Sequence, residues 1–186
     1  MSRFTVKDLP LSGLQVITRQ YLGDSRGFLT RMFCAEELQA TNWPKGIAQI
    51  NHTYTARQGS IRGLHYQKPP HAEMKLVSCI QGEIWDVAVD LRLDSPTFLQ
   101  WHAEHLSRDN GKALLIPEGF AHGFQAISDD CELIYLHSEP YAPRLEAGIR
   151  FDDPRIAIEW PLPATGISAR DKQHPLINKL FNGIQL

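Results

Sequence analysis

The feature that most constrains the fold is a succession of short segments rich in β-branched and aromatic residues, punctuated by Gly, Pro, Asp, Asn or Ser. Residues 14–18, 27–33, 48–55, 75–80, 83–93, 97–106, 113–116 and 133–137 all read as strands. The clearest is 83–93, where Trp85, Val87, Val89 and Leu91 alternate with Asp86, Ala88 and Asp90. A period of two sets an apolar face against a carboxylate face. Gly82 and Asp109-Asn110-Gly111 mark tight turns. Before residue 140 only residues 35–40 (AEELQA) look helical. Many short strands at near-regular spacing predict a mainly β sandwich or barrel. Around and beyond Tyr141 the prolines at 140, 143, 154, 161, 163 and 175 interrupt any regular pattern. This tail is expected to lie over the β-core as an irregular strap with one or two short helical turns.

The chain has 186 residues, 42% hydrophobic and 22% charged, which fits one soluble globular domain spanning 1–186. Its 19 Lys+Arg against 21 Asp+Glu give a net charge of −2. Without a basic excess, neither nucleic acid nor an anionic membrane is expected as a partner. Cys34, Cys79 and Cys131 lack CxxC spacing and suit neither a disulfide framework nor a zinc site. The opening residues MSRFTVKDLP carry no apolar run of leader length, so a cytoplasmic protein is expected.

Of eight histidines, two sit in unusual company. His65 lies in Arg62-Gly63-Leu64-His65-Tyr66-Gln67, and His122 lies in the glycine-bounded stretch 116–124. The flanking glycines are expected to allow sharp turns and close backbone approach to a ligand. Gly111, Pro117, Gly119 and His122 have the spacing G-x5-P-x-G-x2-H, which resembles the second motif of cupins, a jelly-roll family. Metal-binding cupins carry an H-x-H pair and a glutamate in the first motif. Taking Gly82 as that motif's glycine puts Lys75 in the glutamate's place. A cation there repels a divalent metal, so a double-stranded β-helix (jelly roll) without a metal site is predicted. A polar interior of imidazoles, a lysine, an arginine, amides and a phenol then suits proton transfer next to a carbonyl.

Several collinear motifs make the resemblance specific. Segments 24–28 (DSRGF), 49–52 (QINH), 62–67 (RGLHYQ), 75–77 (KLV), 82–90, 95–98 (SPTF), 116–124 and 158–161 (IEWP) resemble those of dTDP-4-dehydrorhamnose 3,5-epimerases, in order over roughly residues 14–178. The resemblance implies that His65 is the base removing protons at C3 and C5 of a 4-keto sugar, with Asp171 as its carboxylate partner. It implies Tyr135 as the opposite-face acid, and Lys75 and His122 as the groups stabilising the enolate. Arg26 and Arg62 fall near the diphosphate, and Gln49, Asn51, Glu146 and Arg170 fall on further binding positions. Tyr141 remains as a stacking partner for the base. No cofactor is needed, since no hydride moves, and a homodimer is implied. The family commonly carries an aromatic and an acid where this chain has Leu29 and Arg31. The expected reaction is therefore C3/C5 epimerisation of a nucleotide-linked 4-keto-6-deoxyhexose, with dTDP as the nucleotide. The alternatives are a single-carbon epimerase, a CDP- or GDP-linked substrate, or a non-catalytic sugar-nucleotide-binding cupin.

Overall fold

The 83–93 alternation organises the molecule, with its carboxylate face turned inward. The computed structural model describes residues 2–39, 41, 43 and 46–186. Thirteen strands and one short helix follow in chain order. These are β1 (Phe4–Asp8), β2 (Gln15–Arg19), β3 (Tyr21–Asp24), β4 (Gly27–Thr30), β5 (Gln49–Thr55), β6 (Ile61–Gln67) and β7 (Lys75–Gln81). After them come β8 (Glu83–Asp90), β9 (Trp101–Ser107), β10 (Lys112–Ile116), β11 (Phe120–Ala126), β12 (Cys131–His137), β13 (Glu146–Gly148) and α1 (Ala169–Gln173). One sheet has the order β1-β2-β10-β7-β12-β5 and the other β13-β6-β11-β8-β9, while β3 and β4 form a separate hairpin. Every pairing between these strands is antiparallel. This is the expected jelly roll.

Three apolar layers explain why β8 is buried on both faces. Ile84 and Ala88 join Val77, Leu114, Phe124 and Leu133 between the sheets. Asp86 lies between them on the same strand face and is fully buried. Val87, Val89 and Leu91 face outward, beneath Ile149 and Ile156 and beside Ile158, Trp160, Ile177 and Phe181 of the tail. The strap therefore covers the outer face of the five-stranded sheet. A third layer, including Phe4, Ile17, Leu38, Trp43 and Leu115, covers the outer face of the six-stranded sheet.

Side-chain hydrogen bonds set several boundaries that composition misplaces. β8 stops at Asp90, short of residue 93, because the Asp90 carboxylate draws the following turn around itself. It accepts from Arg92 Nε at 2.9 Å, Ser95 Oγ at 2.5 Å and Thr97 Oγ1 at 2.6 Å, which delays β9 to Trp101. Residues 35–39 form turns where a short helix was expected, and Ala40 lies outside the described residues. One helical bond forms, Leu38 N–H to Cys34 O, but Thr41 Oγ1 then donates to Leu38 O at 2.6 Å and ends it. In the tail, Ser168 caps α1 by accepting from Asp171 N–H at 3.0 Å, and the helix stops before Pro175.

Gly63 and Gly123 permit a close approach between two strands of the protein itself. A Cβ on Gly63, which has φ +127°, would lie 2.6 Å from Gly123 Cα. Here β6 and β11 press backbone to backbone, and the register shifts between His122 and Phe124.

Candidate active site

Between the sheets lies a cavity of about 1100 Å³. His65, Tyr135, Asp171, Lys75, Gln49, Asn51, Arg62, His122, Tyr141, Glu146 and Arg170 all line it. Arg26 is not among them. It sits in the β3–β4 turn with its side chain 87% exposed, 2.6 Å from Asp24. Leu29 and Arg31 belong to the same region, with Leu29 exposed and Arg31 paired to Glu37.

One strand and the capped helix build the imidazole–carboxylate pair. β6 presents His65, and α1 brings Asp171 Oδ1 to 2.7 Å from His65 Nε2. The Gly63 N–H donates to the other carboxylate oxygen at 3.2 Å. Burial works to raise the Asp171 carboxyl, but the His65 bond and charge, with Gly63 and Ser168, hold it below the usual range. Burial is also the main effect on His65, lowering its pKa below the ordinary 6.5, and the cations Arg170 and Lys75 add to it against the pull of Asp171. A neutral imidazole with one N–H given to a carboxylate keeps a lone pair on its other nitrogen, the state a base requires.

The opposite sheet supplies the phenol. Tyr135 on β12 is buried, and burial, followed by the nearby Asp86 charge, pushes its pKa upward, so it stays protonated. His122 on β11 lies between the two sides: it is the register partner of His65, and its ring centroid is 5.9 Å from that of Tyr135. The inward carboxylate of β8 holds it, with Asp86 Oδ1 2.7 Å from His122 Nε2. Burial raises the Asp86 carboxyl, against the pull of His122 and Lys75.

Lys75, at the start of β7, points its ammonium into the cavity, 3.4 Å from the His65 carbonyl. Arg62 is anchored by Thr55 Oγ1 at 2.9 Å and the Tyr54 carbonyl at 2.8 Å. Those partners are neutral, which leaves the guanidinium's charge available to an anion. At the mouth Arg170 lies 3.1 Å from Glu146 Oε2, which also accepts from Tyr141 Oη at 2.7 Å.

Sequence reasoning misses Glu73, His137 and His174. Glu73 and Lys75 stand two apart, which places them on one side of an extended chain, a usable signal. His174 packs its ring where a Gly148 Cβ would stand, with its centroid 5.5 Å from that of His65. The ligand atoms of His65, Asp171 and His174 lie within 4.8 Å of one another, close enough for a three-donor cation set. Against a cation there, the Arg170 guanidinium lies 3.3 Å from His65 Nε2. The cysteines are free, and burial pushes the Cys79 thiol to about 12, so it is inert at neutral pH.

The fold and site define a cupin-type barrel arranged for proton transfer. Residues 8–179 match the sequence profile of dTDP-4-dehydrorhamnose 3,5-epimerase. The enzyme of that name from Sinorhizobium fredii is 36% identical over 175 residues, covering 94% of this chain and 90% of its own length. The Bacillus anthracis dTDP-4-dehydrorhamnose 3,5-epimerase structure, with TDP and PPi bound, superposes with a TM-score of 0.90 at 38% identity, covering 94% of this chain and 99% of that one. The Legionella pneumophila dTDP-6-deoxy-D-glucose-3,5-epimerase, in complex with dTDP-4-keto-L-rhamnose, gives 0.89 at 36% identity, covering 95% and 94%. This chain belongs to the dTDP-4-dehydrorhamnose 3,5-epimerase family.

Proposed function

We propose that the chain, acting as one domain, epimerises C3 and C5 of a dTDP-linked 4-keto-6-deoxyhexose, without a cofactor, in the making of a rhamnose-type deoxysugar. The observation that carries this reading is that His65 and Tyr135 reach one cavity from opposite sheets. His65 takes the proton from the carbon beside the C4 carbonyl, and Asp171 stabilises the imidazolium that forms. The electron pair moves into the carbonyl, where the Lys75 ammonium and His122 stabilise the enolate oxygen. Tyr135 returns a proton on the other face, inverting that carbon; His65 then gives its proton to solvent, Tyr135 regains one from solvent, and the cycle repeats at the second carbon. Arg62 and Arg170 hold the diphosphate by charge-assisted hydrogen bonds, while Gln49, Asn51, Glu146 and Tyr141 serve the nucleoside end.

Two copies pair in this reading. The hairpin exposes Tyr21, Leu22, Phe28 and Leu29, and the edge strand β5 exposes Ile50 and Tyr54. A hairpin laid on the second copy's edge covers both apolar sets and brings Arg26 toward a diphosphate. Sedimentation is expected to give a dimer. Among the described residues no helix is long and apolar enough to cross a membrane, and we place the enzyme in the cytoplasm.

Proton NMR in deuterated water with dTDP-4-keto-6-deoxyglucose tests the reaction. Loss of both H3 and H5 with new product signals is the expected result, and loss of neither removes it. Tyr135→Phe is expected to leave exchange at C3 while reducing inverted product, and an unchanged product profile would assign the acid elsewhere. Arg170→Ala removes a cation that lowers the His65 pKa. The acid limb of its pH–rate profile is therefore expected to move to higher pH than in the wild type.

A further inference from the structure

One end of the cavity carries a cluster that the proton-transfer scheme leaves without a task. Glu73, just before β7, has a side chain only 9% exposed, with Oε1 3.1 Å from Lys75 Nζ and Oε2 2.8 Å from His137 Nδ1. His137, the last residue of β12, is the register partner of both Lys75 and Gln49. Its Nε2 lies 3.3 Å from Asn51 Nδ2. Asn51 Oδ1 accepts from Gln49 Nε2 at 3.0 Å, and Gln49 Oε1 accepts the Tyr141 N–H at 2.9 Å.

The donors from Tyr141 to His137 run in one direction. An amide N–H from Asn51 makes His137 Nε2 an acceptor, so the ring proton sits on Nδ1 and is donated to Glu73. Hydrogen bonds thus run unbroken from Tyr141 at the mouth to the carboxylate that holds Lys75. Burial alone raises the Glu73 carboxyl, yet His137 and Lys75 outweigh it and keep it below the usual range. Burying a carboxylate and an imidazole costs free energy that an apolar pair does not, so packing is a poor account of them.

We propose that Glu73 and His137 are positioning residues of the epimerisation. Glu73 fixes the Lys75 ammonium beside the sugar carbonyl, and His137 ties that ammonium through Asn51 and Gln49 to the nucleotide end. This rests on the reaction proposed above. The other titratable groups around Lys75 are His65 on β6, Asp86 on β8, His122 on β11 and Tyr135 on β12.

The test compares H3 and H5 exchange by wild type, Glu73→Gln, Glu73→Asp, His137→Gln and the double glutamine variant, with dTDP affinity and thermal midpoints measured alongside. Glu73→Gln is expected to lower kcat on the order of 100-fold with KM near wild type. Glu73→Asp, which keeps the carboxylate, is expected to recover part of the lost kcat. The double variant loses no more than Glu73→Gln, because both residues act through one run of bonds. Wild-type kcat in Glu73→Gln would overturn the proposal. So would a loss that Glu73→Asp does not recover and that follows a lowered midpoint, or fully additive losses in the double variant. A wild-type protein inert toward the sugar nucleotide would overturn the reaction itself, and this differs visibly from an active wild type with an indifferent Glu73→Gln.

Discussion

His65→Asn is expected to abolish hydrogen exchange at both C3 and C5 while dTDP still binds as it does to the wild type. Asparagine keeps a polar side chain of similar reach but offers no basic nitrogen. A positioned general base contributes about 10²–10⁴-fold, so residual exchange should fall into that range or below detection. In the variant the Gly63 N–H and Ser168 still reach the Asp171 carboxylate, against the burial that works to raise it. Calorimetry with dTDP separates a lost base from a lost site. Near-wild-type exchange would remove His65 as the base.

The largest effect on stability is expected from Gly63→Ala. The new Cβ would meet Gly123 Cα at 2.6 Å and the His122 carbonyl at 2.9 Å, and both obstacles are backbone. Adding strain at positive φ to overpacking gives a loss of roughly 3–5 kcal/mol. For a domain of this size that lowers the thermal midpoint by about 10 °C. Gly46→Ala is the control, since a methyl group added there meets nothing within 4 Å among the described residues. Equal midpoints for the two variants would show that β6 and β11 can part at little cost. Activity should fall in Gly63→Ala even where the protein remains folded, because the His65 register with His122 depends on this contact.

How far the sequence reaches depends on whether a feature is local. The strands with period two are legible, and so is the strap, because proline spacing and alternation act over a few residues. β11 does not read as a strand: it is buried on both faces, so its seven residues carry no alternation. β6 reads as a motif, and Arg62, Gly63, His65 and Gln67 among its seven residues hide the strand. The direction of the β8 faces is misleading for a different reason. Carboxylates are usually exposed, and only the tail's cover over Val87 and Val89 shows that Asp86 must turn inward. His65 and Asp171 are marked by motif, yet their 2.7 Å contact needs residues 106 apart to meet. Glu73 and His137 need the pairing of β7 with β12, which no short window contains. Arg26 matches a motif but lies in the exposed hairpin turn, beyond the reach of this chain's own cavity.

The tail that hides the apolar face of β8 also delivers Asp171 to the base. Structural cover and the carboxylate bonded to His65 therefore arrive on one stretch of polypeptide. During synthesis, both sheets can be complete by residue 148 while the base still lacks its partner. A protease nick between β13 and α1 that let the tail peel away would take Asp171 from His65 and bare Val87 and Val89 together.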